Sequence, residues 1–316
     1  MLGCLKGLAT GDAIGKQTET LSHDSVLRWY PEGVRGFEGL PGTVIPRYAG
    51  NAKREWLIGE TTDDTERTTA VARAILCDRA VRHVTVGQEL LTCTKCVHPG
   101  LKSLWEFHQA ADPARVADRH DGCGAAVRVA PVGILFRSTH FEEIVAGARE
   151  ASISTHGGPL ALAAAAATAA AVSAAIDEAG SDEALELAQR AADRAESDRT
   201  GSSATVFATA IRTISSDLSR WPRLDPAAVA ATYFPDNPLT IVPLALALAT
   251  VTHSAEAAIL LATNIGGDSD SVASIAGAIL GARYPETVNE DWYRIVETVN
   301  GHNLVAVGEA LSDLRG

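Results

Sequence analysis

Runs of small apolar residues, separated by short polar segments, recur along most of this chain, and their spacing is that of helices. Residues 2–15 form one such run, and a second pattern extends from residue 63 to about residue 82. In the second pattern the apolar side chains lie three or four positions apart, which puts them on one face of a helix. These positions are Ala70, Val71, Ala74 and Ile75.

The most apolar run, Leu160 to Ile176, consists largely of alanine. It is shorter than the roughly 20 apolar residues that a membrane span needs, and alanine contributes little to membrane insertion. A helix that is apolar on all sides is normally buried inside a protein. We therefore predict a buried central helix.

The second half of the chain predicts more helices, over residues 200–215, over 225–262 and from Trp292 to the C-terminus. Residues 20–60 differ, because prolines and glycines interrupt every apolar pattern there, and we predict a long irregular connection. A connection of that length is usually functional, which favours a lid or a substrate-facing role. Three prolines are expected to break the helical pattern of 225–262: Pro235, Pro238 and Pro243.

Composition agrees with a helical protein and excludes some partners. Hydrophobic residues make up 46% of the chain and aromatic residues 5%, which favours helix over sheet. The formal net charge is −12 and no long Lys/Arg cluster is present, so we expect neither nucleic acid nor an anionic membrane as partner. No repeat or low-complexity linker divides the chain. We predict one compact all-α domain over residues 1–316.

The five cysteines are too few for a disulfide framework in a chain of this length. The segment Cys93-Thr94-Lys95-Cys96-Val97-His98 has half the spacing of a zinc site, but no second Cys/His pair lies at a suitable distance. We interpret these cysteines as core residues. The first residues predict a helix and no signal peptide, so we expect a cytoplasmic protein. The sequence does not indicate an oligomeric state.

Acidic residues gather at one place beyond what a helix needs. In Gly266-Gly267-Asp268-Ser269-Asp270-Ser271 the glycine pair predicts a tight turn, and the small apolar residues that follow predict a buried helix. Asp and Ser often cap helices at such a position, where the positive helix end favours anions. One cap needs one acid, however. The second carboxylate is surplus to capping and suggests a partner cluster.

That partner is Thr61-Thr62-Asp63-Asp64-Thr65-Glu66, which also precedes a helical pattern. Two such clusters repel each other if the fold brings them together without compensation. Hard divalent cations neutralise this charge, and carboxylate, hydroxyl and water oxygens suit Mg²⁺, Mn²⁺ or Ca²⁺ rather than zinc. If the clusters meet, the sequence predicts a divalent cation site.

Two further segments can face a ligand. Gly122-Cys123-Gly124 is a glycine-rich turn that can present amides to a phosphate, and it enters a helix that Pro131 interrupts or restarts. A single turn of this type is weak support for a ligand site. Thr155-His156-Gly157-Gly158 precedes the alanine-rich helix. A histidine at such a place is more often a capping or core group than a catalyst, so both interpretations stay open.

In their order along the chain, these segments resemble the ADP-ribosylglycohydrolase family, which includes dinitrogenase reductase-activating glycohydrolase and the ADP-ribosylarginine and ADP-ribosylserine hydrolases. Each segment alone is a weak signal, but the ordered set is specific and spans nearly the whole chain. The resemblance implies a single, compact, all-helical domain. The segments are Gly11-Asp12-Ala13-Ile14-Gly15 with Glu19, Thr62-Asp63-Asp64-Thr65, Gly124 to Pro131, Thr155-His156 and Gly266 to Ser271.

The resemblance further implies two Mg²⁺ ions, with Mn²⁺ as a substitute, at the bottom of a cleft. Their implied ligands are Thr62, Asp63, Asp64, Asp268, Asp270 and Ser271. The implied catalytic carboxylates are Asp63, Asp64 and Asp270, with Glu19 near the substrate as a gate or acid–base group. The implied substrate-binding residues are Asp12, Gly122, Cys123, Gly124, Arg128, His156, Gly157, Gly266 and Gly267.

Three positions depart from the commoner family pattern. Ser271 stands where threonine is usual, which keeps the hydroxyl. Cys123 stands where asparagine is frequent, and Gly157-Gly158 lacks the second histidine that many members have after the first. The last two departures fall on the substrate side, so they leave hydrolysis intact and the substrate open.

Three functional hypotheses follow. The first is removal of ADP-ribose from a modified protein side chain, arginine above all. The second keeps the chemistry but acts on a small N- or O-ribosyl compound such as a nucleoside, a nucleotide or an ADP-ribosyl metabolite. The third is a non-catalytic relative with a binding or structural role. The intact set of acids disfavours it, because sequence drift would be expected to remove at least one of the six implied ligands if no metal were bound.

Overall fold

The computed structural model describes residues 1–51, 54–95 and 116–316. Within these ranges the chain forms fifteen α-helices, and its β-pairing is limited to an isolated bridge between Val44 and Leu57. The all-α prediction is confirmed. In chain order the helices are α1 Leu2–Gly15, α2 His23–Trp29, α3 Asp63–Asp78, α4 His83–Leu90, α5 Ala130–Leu135, α6 Phe141–Ser152, α7 Pro159–Ile176, α8 Ser181–Thr200, α9 Phe207–Ser219, α10 Pro226–Tyr233, α11 Pro238–Val251, α12 Ala255–Ile265, α13 Ser269–Arg283, α14 Glu290–Asn300 and α15 Leu304–Ser312.

Helix α7 lies at the centre of the molecule, as its alanine content predicts. Its side chains are buried from Ala161 to Ala175, and it packs against α5, α6, α8, α11 and α13. By length and composition Pro159–Ile176 could cross a bilayer, but 83% of it is buried inside the protein. Alanine allows five helices to approach the same axis closely, because its side chain occupies little more than the backbone. The helix is therefore the centre of the core.

Helices α1 and α13 pack against each other backbone to backbone in antiparallel orientation. Four glycines face α13 from α1 at intervals of one turn, and a Cβ added to Gly7 would lie 2.1 Å from the Gly277 carbonyl oxygen. At the end of the row, a Cβ on Gly15 would lie 2.5 Å from Asp270 Cα. Only glycine permits such an approach. The row brings the C-terminus of α1 beside the acidic N-terminus of α13, and its members are Gly3, Gly7, Gly11 and Gly15.

Two expectations about helix ends need correction. The helix predicted from 63 to about 82 ends at Asp78, because Arg79 adopts a left-handed conformation with φ 53°. The break predicted at Pro243 is wrong, since α11 continues from Pro238 to Val251 with Pro243 inside it. Only one helical hydrogen bond is lost at such a proline, and burial of the apolar side chains of α11 outweighs that cost.

The segment predicted as an irregular connection, residues 20–60, is ordered in its described part. It contains α2, a 3₁₀ turn at Pro46–Tyr48 and a small hydrophobic cluster of its own around Tyr48 and Trp56. Backbone bonds from Ile45 N to Trp56 O and from Ile58 N to Thr43 O fold it back on itself. The irregular interpretation is therefore wrong for α2, whose short length hid its helical pattern.

Candidate active site

A single cavity of about 540 Å³ collects most of the predicted site residues. It opens between the N-termini of α3 and α13, the glycine-rich turn before α5, and the loop between α10 and α11. The predicted residues that line it are Glu19, Asp63, Asp64, Gly122, Cys123, Gly124, His156, Gly267, Asp268, Asp270 and Ser271. The predicted residues that do not line it are Asp12, Thr62, Arg128, Gly157 and Gly266.

The two acid clusters meet in this cavity, although they lie far apart in the sequence. Asp63 and Asp64 occupy the first turn of α3, while Asp268 and Asp270 lie at the start of α13. Asp268 occupies the cap position of α13, yet its side chain makes no capping hydrogen bond to that helix. Capping therefore does not explain the second cluster.

The carboxylates at the bottom of the cavity are poorly compensated. Among the described residues, Asp270 Oδ1 is buried without a hydrogen-bond partner. Burial and then the Asp268 carboxylate raise the pKa of Asp270 well above its usual value. The pKa of Asp64 is raised in the same way, by burial first and then by Asp12 and Asp63. Such a site favours the arrival of positive charge.

The oxygens present fit a hard divalent cation. Ser271 Oγ donates to Asp64 Oδ2 at 3.2 Å, so a hydroxyl from α13 touches a carboxylate from α3. In the described ranges no three His, Cys, Asp or Glu side chains already close around one point. The orphan oxygen of Asp270 and the all-oxygen donor set nevertheless suit Mg²⁺ or Mn²⁺. The residues that can hold such ions are Asp63, Asp64, Asp268, Asp270 and Ser271.

Glu19 also lines the cavity, and neighbouring side chains fix its position. Its carboxylate pairs with the Lys16 ammonium, which lies 4.2 Å from the centre of the Trp56 ring. Arg47 donates to the backbone carbonyls of Gln17 and Glu19 at 2.7 and 2.6 Å. These contacts fix the turn after α1. The 20–60 segment thus supports the site through Arg47 and Trp56.

The glycine-rich turn and His156 form the substrate-side wall. A Cβ on Gly124 would come within 3.1 Å of both Arg67 Nη1 and His156 Cε1, so a side chain at this position would press on both residues. Cys123 Sγ donates to Asp268 Oδ2 at 3.2 Å and joins this wall to the acid cluster. Pro131 does not interrupt a helix here but lies in the first turn of α5, where its missing N–H costs nothing.

Comparison with known proteins decides the family. Residues 1–315 match the sequence model of the family described as ADP-ribosylglycohydrolase. The chain belongs to the ADP-ribosylglycohydrolase family. An uncharacterized protein of Archaeoglobus fulgidus is 30% identical over 289 residues, which cover 89% of this chain and 86% of that protein.

A solved structure described as an ADP-ribosylglycohydrolase-related protein complex superimposes with a TM-score of 0.68 at 22% identity. The match covers 100% of this chain and 97% of the other, and at this identity it shows the fold. The resemblance derived from the sequence is confirmed. This protein is a glycosidase of the ADP-ribosylglycohydrolase type, from a family that acts on ADP-ribosylated substrates and generally uses divalent metals.

In this glycohydrolase Asp12 does not face the substrate, contrary to the prediction. It is fully buried and accepts hydrogen bonds from the Thr62 amide at 3.0 Å and from the Thr65 amide and hydroxyl at 3.0 and 2.5 Å. Asp12 therefore caps α3 from α1 and holds the Thr62–Thr65 turn in place. Thr62 caps the same helix with its own hydroxyl, which accepts from Asp64 N at 3.1 Å.

Arg128 and Gly157 also lie behind the cavity wall instead of in it. The Arg128 guanidinium is buried and donates to the Ala151 carbonyl at 2.9 Å and to the Thr155 hydroxyl at 2.7 Å. Gly157 packs against the backbone at Ala117, where an added Cβ would meet the carbonyl oxygen at 1.7 Å. Both residues shape the turn that carries His156.

The glycine pair forms the tight turn that the sequence predicts, with φ 86° at Gly266 and 70° at Gly267. Its two members have different surroundings. Gly266 lies against the Leu21 carbonyl, where an added Cβ would meet the oxygen at 2.3 Å, so it packs away from the cavity. Gly267 lines the cavity and accepts from Thr20 N at 2.7 Å.

Sequence reasoning missed several residues of the cavity wall. Arg67 pairs with Asp63 at 2.9 Å, and the i,i+4 spacing on α3 was a usable signal for it. Asp121 lines the cavity and also accepts from Leu160 N at 2.8 Å, which caps α7. No local pattern marks the remaining ones, which are Thr20, His120, Phe234, Pro235, Asp236 and Ile241.

The segment with half the spacing of a zinc site, whose cysteines we interpret as core residues, is described only as far as Lys95. Cys93 is half-buried and packs against the hydrophobic core. Its partners in the motif, Cys96 and His98, lie outside the described residues.

Proposed function

We propose that this glycohydrolase uses two Mg²⁺ ions, replaceable by Mn²⁺, to cleave the C1 bond between ribose and a modified side chain, arginine above all, with release of ADP-ribose. One observation carries the proposal. Two carboxylates from α3 and two from α13 share one cavity, where Asp270 Oδ1 is buried without a hydrogen-bond partner among the described residues. A helix cap or an ion pair accounts for neither pair of acids in full.

The metal ligands we infer are the cavity oxygens of Asp63, Asp64, Asp268, Asp270 and Ser271, with the Thr62 hydroxyl behind them as a cap. When bound, divalent ions would lower the pKa of a water molecule and orient the ribose hydroxyls. The chain itself supplies the negative cavity floor. That charge suits the oxocarbenium character which develops at C1 as the glycosidic bond breaks.

The chain also offers bases to receive the proton of the attacking water. Asp63 is oriented by its pair with Arg67, and Asp270 has a free oxygen, so each can act as general base. Glu19 faces them across the cavity, held by Lys16, and is positioned to serve the leaving group. Gly122 and Gly124 leave room for the diphosphate beside the backbone.

The test is a Mg²⁺-dependent assay of ADP-ribose release from arginine-ADP-ribosylated protein, serine-ADP-ribosylated protein and O-acetyl-ADP-ribose. We expect release from the arginine linkage, abolished in Asp270→Asn. Release from the serine linkage alone would keep the reaction and change the acceptor. Hydrolysis of a small riboside with both modified proteins untouched would replace the proposal by its alternative. No hydrolysis of any substrate would refute the proposed function.

A further inference from the structure

The two ring nitrogens of His156 have opposite surroundings. Nδ1 points into the protein and lies 2.7 Å from Thr155 Oγ1. Nε2 faces the glycine-rich turn, where Cβ atoms added to Gly122 and Gly124 would come within 3.6 and 3.2 Å of it. In the part of the chain that the structure describes, Nε2 makes no hydrogen bond, although His156 is only 8% exposed. His156 lines the cavity, so an unbonded ring nitrogen on this otherwise buried side chain is available for a ligand contact.

The Thr155 hydroxyl determines which nitrogen of His156 carries the hydrogen. Arg128 Nη2 donates to Thr155 Oγ1 at 2.7 Å, so this oxygen is an acceptor towards Arg128. The hydroxyl hydrogen then has two possible acceptors. The Ser152 carbonyl is 3.5 Å away and already accepts from the amides of Thr155 and His156, whereas Nδ1 of His156 is 2.7 Å away and in contact with no other donor. The hydroxyl therefore donates to Nδ1.

An imidazole that accepts at Nδ1 and is neutral carries its one hydrogen on Nε2. The charged form is disfavoured at this place. Burial, and then the positive charges of Arg128 and Arg67, lower the pKa of His156 well below its usual value. His156 therefore presents an N–H group to the cavity, and it has no lone pair there with which to act as a base.

We propose that Arg128 and Thr155 are positioning residues that hold His156, a substrate-binding residue already implied by the family resemblance, as a neutral Nε2–H donor towards an acceptor oxygen of the ligand. The inference rests on the proposed function for the identity of that ligand, an ADP-ribosyl group, whose phosphate and hydroxyl oxygens are acceptors. In this arrangement the carboxylates, and not His156, accept the proton of the attacking water. It also explains why Arg128 is buried away from the substrate.

The tautomer can be read directly by ¹H–¹⁵N correlation of the histidine rings in the full-length protein. The unprotonated ring nitrogen resonates far from the protonated one, and loss of one spin system in His156→Gln assigns the signal among the nine histidines. We expect the Nε2–H form in the wild type and in Thr155→Ser, which keeps the hydroxyl. We expect Thr155→Val, which removes it at nearly constant volume, to shift His156 towards the Nδ1–H form.

The donor role is tested by titration calorimetry with ADP-ribose. Thr155→Val is expected to weaken ADP-ribose binding about tenfold or more, the effect of losing one hydrogen bond to a charged group, while Thr155→Ser stays near the wild type. His156→Gln, whose amide can donate near the Nε2 position, should bind better than His156→Asn. Equal melting temperatures of Thr155→Val and Thr155→Ser would exclude a folding defect as the cause.

An Nδ1–H ring in the wild type, or an unchanged ring and affinity in Thr155→Val, would overturn the inference. If Thr155→Val does not fold, the wild-type spectrum and the Gln–Asn comparison at His156 still decide it. The ring spectrum needs no turnover. If the tautomer shifts as expected but no ADP-ribose is released, the result therefore counts against the proposed function alone. If ADP-ribose does not bind, the ligand contact of His156 is refuted, but the positioning of His156 by Arg128 and Thr155 is not.

Discussion

Asp12 and Asp270 are buried aspartates on neighbouring helices, close enough for the charge of one to affect the ionisation of the other. Their surroundings are opposite. Asp12 accepts from the Thr62 and Thr65 amides and from the Thr65 hydroxyl, whereas Asp270 Oδ1 has no partner within the described ranges. A buried acid with every oxygen paired holds the fold together. A buried acid with a free oxygen lowers stability by itself and is retained for what it binds.

The same contrast separates the two layers of the site. The layer behind the cavity consists of paired groups such as Asp12 and Arg128, which tie helix ends and turns together. The layer that faces the cavity includes groups that keep an unused donor or acceptor within the described ranges, such as Asp270 and His156. The difference predicts that substitutions in the first layer change stability and that substitutions in the second change binding and catalysis.

The largest expected effect is on catalysis in the cavity layer. Asp270→Asn should lower the rate of ADP-ribose release about 10³-fold, the typical cost of losing a general base, because it removes a carboxylate that serves as ligand or base. Without divalent ions the same variant should be as stable as the wild type or more so, because burial and then the Asp268 carboxylate disfavour the ionised form of Asp270, and a neutral amide avoids both costs. Metal-free urea denaturation checks this. A strongly destabilised Asp270→Asn would place Asp270 in the structural layer with Asp12.

The second effect is on stability in the layer behind. Asp12→Asn should lower the free energy of unfolding by about 3 kcal/mol, because the amide replaces one acceptor oxygen by an NH2 donor and leaves at least one of the Thr62 and Thr65 donors without an acceptor. Urea denaturation with and without Mg²⁺ measures it. The matched control is Asp225→Asn, at an exposed cap that accepts from Ala228 N at 3.1 Å, and it should cost well under about 1 kcal/mol because asparagine caps helices about as well as aspartate. An equal loss of unfolding free energy at the two positions would contradict the distinction between the two layers.

The third effect joins the layers through metal binding. At a Mg²⁺ concentration a hundredfold above its dissociation constant, the protein should gain about 2.7 kcal/mol and its melting temperature should rise by several degrees. The rise should disappear in Asp63→Ala and persist in Asp225→Asn. Chelation with EDTA should reverse it. A wild type whose melting temperature does not respond to Mg²⁺, Mn²⁺ or Ca²⁺ would remove the case for a divalent site.

The smallest effect concerns the substrate wall. Gly124→Ala should raise KM several-fold with little change in kcat, because its methyl group would press on His156 and Arg67, at 3.1 Å each, and displace them by a few tenths of an ångström. Steady-state kinetics measures the split. Gly180→Ala is the control, since an added Cβ there meets nothing within 4 Å. A fall in kcat alone would indicate that this wall touches the transition state and not the bound substrate.

Much of the fold could be predicted because the sequence signals of a helix come from residues close together in the chain. The periodic apolar face of α3, the alanine run of α7 and the glycine turn before α13 each depend on neighbours within a few residues. The failures have the same origin. Pro243 was expected to end a helix by its local preference, but burial on all sides of α11 outweighs that preference. Glycines stand at every fourth position of α1 in the sequence, but their spacing alone does not say which helix they contact.

The sequence by itself determined the chemistry of the site, since two clusters with more carboxylates than caps require are a local and countable feature. Only the tertiary structure decided which of the acids face the cavity. Asp12 and Asp64 have similar local settings at helix ends, yet one accepts bonds from another helix and the other faces the ligand space. That assignment depends on the contact between α1 and α13, helices from opposite ends of the chain, and no pattern within either helix contains it.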